Sequence, residues 1–83
     1  MKKRIQLNLM MYYSELKANR ELDVQVEEAA TVADVLAAAS ARVPELGDLK
    51  GLVGEKACLI IRNDNLAKLE SPVEDGDKLT VLD

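Results

Sequence analysis

An α+β fold is predicted for this chain: one main helix lying across one face of a mixed sheet of four or five strands. Three observations predict it. The hydrophobic period is two near both ends of the sequence, where Ile5, Leu7 and Leu9 and later Leu79 and Val81 alternate with polar residues. Between them "VADVLAAASAR" changes to the helical period, with Val32, Val35, Leu36 and Ala39 on one stripe. A third segment, "KACLIIR", is apolar at every position from Ala57 to Ile61 and lies between a glycine and "NDN", as a strand with contacts on both faces would.

Taken in order, the first strand carries Ile5, Leu7, Leu9 and Met11 against Gln6, Asn8 and Met10. The second carries Leu22, Val24 and Val26 against Asp23, Gln25 and Glu27, and "YYSELKANRE" joins the two as an antiparallel hairpin. A helix is expected from Val32 to Arg42, with Thr31 as its N-cap and Asp34 in the capping-box position. Pro44 stops it, and Gly47, Gly51 and Gly54 predict a loop. Lys56 to Arg62 forms the next strand, followed by a turn and a short strand around Leu66 to Leu69. The "DGD" turn at Asp75 then leads into a last strand. Strand, strand, helix, strand, short strand, strand is the order of a β-grasp domain, here expected to be a single one over residues 1–83.

Composition narrows the function. Eighty-three residues, 48% of them hydrophobic and 31% charged, form a core with little room for a deep catalytic cavity. The only aromatics are two tyrosines, so the core is aliphatic, and one of Tyr12 and Tyr13 is expected to close it at the end of strand one. A net charge of -4 argues against nucleic acid as a partner. One cysteine and no histidine exclude an internal disulfide and the usual zinc sites. "EDGD" lacks the spaced oxygen ligands of a calcium loop. No metal, cofactor or catalytic set is expected, and with no nucleophile and base pair the chain does not read as an enzyme. No stretch reaches the roughly 18 apolar residues of a membrane span, and the expected location is the cytoplasm.

Charge is also unevenly placed. Met1 to Arg20 holds five bases and one acid, while Glu70 to Asp83 holds five acids and one base. In a β-grasp sheet the first and last strands are parallel neighbours, so Lys2, Lys3 and Arg4 are expected to begin near Asp75 and Asp77.

Two stretches carry a family resemblance. "ATVADVLAAASARVPEL", from Ala30 to Leu46, resembles the helix segment of the ubiquitin-like sulfur carriers, and "SPVEDGDKLTVL" resembles their approach to the last strand. With the opening strand, the similarity to the small subunit of molybdopterin synthase and to the thiamine sulfur carrier covers nearly the whole chain. The resemblance implies a carrier for molybdopterin, thiamine or related sulfur biosynthesis, with an adenylating enzyme or a larger enzyme subunit as partner. In that family a C-terminal diglycine is activated with ATP and converted to a thiocarboxylate. Glycine suits this because, lacking Cβ, it threads a narrow channel. Here Leu82 and Asp83 stand at the C-terminal end, so the chain as written is expected to be inert in sulfur transfer. The alternative is a β-grasp binding module that docks to a larger enzyme without carrier chemistry.

The residues proposed to contact a partner come from the apolar run. A strand with one face on the helix presents either Cys58 and Ile60 or Leu59 and Ile61 on the other, joined by Met10 from strand one, as a surface for a partner protein or a second copy. Cys58 by itself reads as a small buried hydrophobe.

Overall fold

The computed structural model describes residues 2–12, 19–55 and 58–83. Five strands form one sheet: β1 (Lys3–Met10), β2 (Asn19–Val26), β3 (Leu59–Arg62), β4 (Asn65–Ala67) and β5 (Lys78–Leu82), in the order β2-β1-β5-β3-β4. The central pair β1 and β5 is parallel; β1 with β2, β3 with β5 and β3 with β4 are antiparallel. Helix α1 (Val32–Arg42) covers one face.

Each element follows from its residues. Ile5, Leu7, Leu9 and Met11 are all buried, as are Val24 and Val26 opposite them and Leu79 and Val81 on β5. From above, α1 adds Val32, Val35, Leu36 and Ala39, each fully buried. The helix start is closed by a capping box in which the Thr31 N–H donates to the Asp34 carboxylate at 2.9 Å. Its next two N–H groups are satisfied from across the fold, Val32 by the Ser71 carbonyl and Ala33 by that of Leu69, both at 2.9 Å.

The structure corrects the sequence reading in three places. The stretch around Gly51 and Gly54 is not loop: a 3-10 turn (Pro44–Leu46) leads to a short helix, α2 (Leu49–Gly54). Asp48 caps α2 by accepting the Gly51 N–H, and Leu46 and Leu49 drop into the core. An aspartate cap before Leu49, Leu52 and Val53 outweighs two glycines when burial is available. Of Gly47, Gly51 and Gly54, Gly47 is the one at positive φ, 67°. The short strand lies at Asn65–Ala67 rather than Leu66 to Leu69, because the carbonyl of Leu69 is drawn to the start of α1. β3 begins at Leu59; Lys56 and Ala57 lie outside the described residues. After β1 Met11 is buried in the core and Tyr12 is exposed; Tyr13, the other tyrosine expected there, lies outside the described residues.

The two ends do meet, at Asp75 as expected and also at Val73 and Glu74, but not through the Asp77 side chain. Lys3 donates to the Val73 carbonyl at 2.7 Å and lies 3.9 Å from Glu74, and the Arg4 N–H donates to the Asp75 carboxylate at 2.7 Å. Asp77 faces away from the N-terminal bases. It accepts the Arg62 guanidinium at 2.6 Å, the Glu74 N–H at 2.7 Å and the Asn63 amide at 3.2 Å, tying the β3–β4 turn to the start of β5. Asn63, in the left-handed region at φ 56°, completes the tie by accepting the Lys78 N–H.

Candidate functional site

The face of the sheet away from α1 is where the chain exposes apolar side chains. Register places them in two rows. Met10 pairs with Leu82 and Leu82 with Leu59, a row across β1, β5 and β3. One pleat along, Asn8 pairs with Thr80, Thr80 with Ile61 and Ile61 with Leu66. At about 4.8 Å between strands, the first row spans about 10 Å and the second about 14 Å. Met10, Leu59 and Leu66 are 43%, 52% and 73% exposed, and Ile61 and Leu82 are half-buried between them. Five apolar side chains therefore adjoin one another on open surface, a larger grouping than the isolated exposed leucine of an ordinary domain.

Alternation decides which half of the apolar run takes part. Leu59 and Ile61 face outward, whereas Cys58 and Ile60 are buried on the helix side. That removes Cys58 and Ile60 from the partner surface. Burial first, and the negative charge of Asp83 second, raise the pKa of the Cys58 thiol, so it stays protonated and unreactive at neutral pH.

Two polar groups lie within the rows, Asn8 and Thr80. The Oδ1 atom of Asn8 is buried with no hydrogen-bond partner. At the end of the first row the chain reaches Asp83, whose carboxylate accepts the Tyr12 N–H at 2.9 Å and so extends the β1–β5 pairing one step beyond Leu82. Among the described residues no group of three or more His, Cys, Asp or Glu could hold a metal ion. No helix among them is long and apolar enough to cross a membrane.

Leu66, Thr80, Asn8 and the outward role of Leu82 were not singled out by sequence reasoning. Leu66 sits alone in "NDNLAKL" with no alternation to orient it, and membership of a row depends on register across four strands, which a linear pattern does not carry.

A helix crossing a five-stranded sheet whose first and last strands lie parallel at its centre defines a ubiquitin-like β-grasp protein, and its apolar open face reaches the end of the final strand. The chain belongs to the ThiS family, whose model matches residues 9–83; it is a ubiquitin-like protein of the sulfur-carrier type. Known structures share its fold. A crystal structure of small archaeal modifier protein 1 from Haloferax volcanii superposes with a TM-score of 0.73 at 22% identity, covering 96% of this chain and 95% of that one. A second crystal structure of that Haloferax volcanii protein gives 0.72 at 24% identity, covering 94% and 91%. A chain in the complex of subunits 1 and 2 of the molybdopterin-converting factor from Helicobacter pylori 26695 gives 0.51 at 23% identity, covering 99% and 92%. No curated protein matches the sequence.

Proposed function

We propose that this protein carries sulfur for the biosynthesis of thiamine, molybdopterin or a related sulfur compound, and that it docks on an adenylating enzyme or a larger enzyme subunit through Met10, Leu59, Ile61, Leu66 and Leu82. One observation carries the reading. Leu82 belongs to the apolar patch and is followed at once by Asp83, so a partner that covers the patch meets the emerging end of β5. Carrier chemistry needs that proximity, because the reacting carboxylate must reach an ATP held inside another protein. The ThiS family match over residues 9–83 supports the carrier class. Docking is also the use that an exposed apolar surface of this kind most often has.

The chemistry proposed is acyl activation at a C-terminal glycine. Its carboxylate oxygen attacks the α-phosphorus of ATP and releases pyrophosphate. Hydrosulfide from the sulfur donor then attacks the acyl carbon of the adenylate, and AMP departs with the bonding electrons to leave the thiocarboxylate. In the chain as given, Asp83 is held beside Tyr12 by a hydrogen bond, and reaching a distant ATP would strip Thr80 to Leu82 from both neighbouring strands. We therefore expect the 83-residue chain, given an adenylating enzyme, ATP and a sulfur donor, to gain no sulfur. A form extended by a short flexible segment ending in Gly-Gly gains it, and Leu59→Arg in that extended form abolishes the gain while leaving the fold intact. Intact-mass measurement reads all three. Exchange of oxygen for sulfur on the unextended chain refutes the reach requirement, and unimpaired transfer by the Leu59→Arg form refutes docking by the open face.

A further inference from the structure

β2 is an edge strand, and the direction of its free backbone groups follows from the hydrogen bonds of β1. The Gln6 N–H donates to Asp77, the Arg4 carbonyl accepts from Gly76, and the N–H groups of Arg4 and Tyr12 donate to Asp75 and Asp83. The even-numbered residues of β1 thus turn their backbone toward β5. Its odd-numbered residues turn theirs toward β2, where Ile5 faces Val24 and Leu7 faces Leu22. On β2 it is then the even-numbered residues that bond to β1. Glu21, Asp23 and Gln25 direct their N–H and C=O groups outward, along an edge that no further strand pairs with among the described residues. The Arg42 guanidinium, reaching over from α1 to donate to the Asp23 carbonyl, confirms the direction.

That edge borders a groove. Two concavities of about 540 Å³ and 430 Å³ lie side by side between β2 and α1 and share Gln25 and Ala38 as lining. On the helix side the wall is the stripe Asp34, Ala38 and Arg42, four residues apart, with a methyl group at its middle. The ends differ in charge. The first concavity has Arg4 and Arg42 against Asp23, a net +1, and the second has Glu27 and Asp34, a net -2. From Asp23 to Glu27 the strand rises about 13 Å, the span of four to five residues of extended peptide.

We propose that the groove between β2 and α1 binds an extended peptide segment of a partner protein, which adds as a strand antiparallel to β2. The segment has a basic residue at its start to meet Glu27 and Asp34, small β-branched residues against Ala38, and an acidic residue at its close to meet Arg4 and Arg42. Main-chain bonds to the Asp23 N–H and to the N–H and C=O of Gln25 supply sequence-independent affinity, the Asp23 carbonyl being held by Arg42, and the charged ends fix direction. One guanidinium N–H of Arg42 is used by the Asp23 carbonyl, and the rest of its five donors remain for a carboxylate. This surface lies across the edge of the sheet from the apolar rows and is independent of them.

The probe is the capped hexapeptide Lys-Val-Thr-Val-Thr-Asp, titrated into the labelled protein and followed by amide chemical shifts. Saturable shifts are expected at Asp23 to Val26 and at Asp34, Ala38 and Arg42, with a Kd of about 1 mM or tighter. The reversed order, Asp-Thr-Val-Thr-Val-Lys, should bind at least about fivefold more weakly. Gln25→Pro removes one outward N–H without touching a β1–β2 bond, and it should weaken binding about tenfold or more. Ala38→Trp fills the groove without altering the backbone and decides the matter if the proline variant does not fold. Absence of saturable shifts, shifts confined to Met10, Leu59 and Leu82, or equal binding by the Ala38→Trp form would each overturn the proposal. Leu59→Arg should leave peptide binding unchanged, which separates this surface from the open face.

Discussion

Replacing Asp77 by alanine should destabilise the protein by about 3 kcal/mol, and the figure comes from three bonds of unequal worth. Asp77 is 7% exposed, and its carboxylate accepts from the Glu74 N–H, the Arg62 guanidinium and the Asn63 amide. A backbone donor left without its charged acceptor loses about 1.5 to 2 kcal/mol. Arg62 keeps 34% of its side chain in water, so its bond, although short, is screened and contributes only about 1 kcal/mol. Exposed Asn63 rehydrates and adds about 0.5 kcal/mol. Against the total of roughly 4 to 12 kcal/mol expected of a chain this size, the loss is large. With a urea slope near 1 kcal/mol/M, the midpoint falls by about 3 M; Asp77→Asn, which keeps the shape but not the charge, should fall by about half as much.

Acid supplies an independent check on the same carboxylate. Burial acts to raise its pKa, but the hydrogen bonds from Glu74, Arg62 and Asn63 and the charge of Arg62 outweigh burial, so the folded pKa lies below the ordinary one. The stabilisation is therefore complete above the unfolded value of about 3.9 and is lost as pH falls through the folded value. The gap in stability between wild type and Asp77→Asn, measured by urea melts, should be constant near neutrality and shrink below about pH 4. A loss under about 1 kcal/mol for Asp77→Ala, or a gap that does not change in acid, would refute this account of the cluster.

Leu36, fully buried under the sheet, should cost about 2 to 5 kcal/mol on change to alanine, read by thermal or urea unfolding. Gly76 sits at φ 87° with open space where a Cβ would go, so Gly76→Ala should cost about 1 to 2 kcal/mol from backbone strain alone; a neutral result would mean the turn relaxes. Cys58, with its thiol pKa raised by burial and then by Asp83, should resist thiol reagents in the native protein and react on unfolding. Because its folded pKa lies above the unfolded one, its stabilisation is full below about pH 8.5 and falls away as pH rises further. Alkylation of the folded protein as fast as of the unfolded would contradict its burial.

Strand and helix identity was legible in the sequence because each rests on local periodicity. Ile5, Leu7, Leu9, Val24, Val26, Val35, Leu36 and Ala39 were all assigned to the core from spacing alone, and all are buried. The boundaries of α1, its Thr31–Asp34 cap and the parallel β1–β5 pair also match. The capping pattern is local, and the strand pairing follows from element order in this family. What failed was the count of glycines after Pro44: α2 gains its stability from Leu49 entering a core that other elements build, and no local rule reports that.

The candidate site divides in the same way. The apolar run from Ala57 to Ile61 by itself determined that one side of a strand would have to remain outside the core. Only the tertiary structure decided that this side is Leu59 and Ile61, since the choice depends on a one-residue phase set by pairing Leu59 with Leu82. It also brought Met10 and Leu66 to the same surface from strands 49 and 7 residues distant from Leu59 in sequence, and it turned Asp77 toward Arg62 rather than toward the N-terminal lysines. Periodicity fixes which residues of one element share a face. Register between elements fixes which faces adjoin, and register is a property of the assembled sheet.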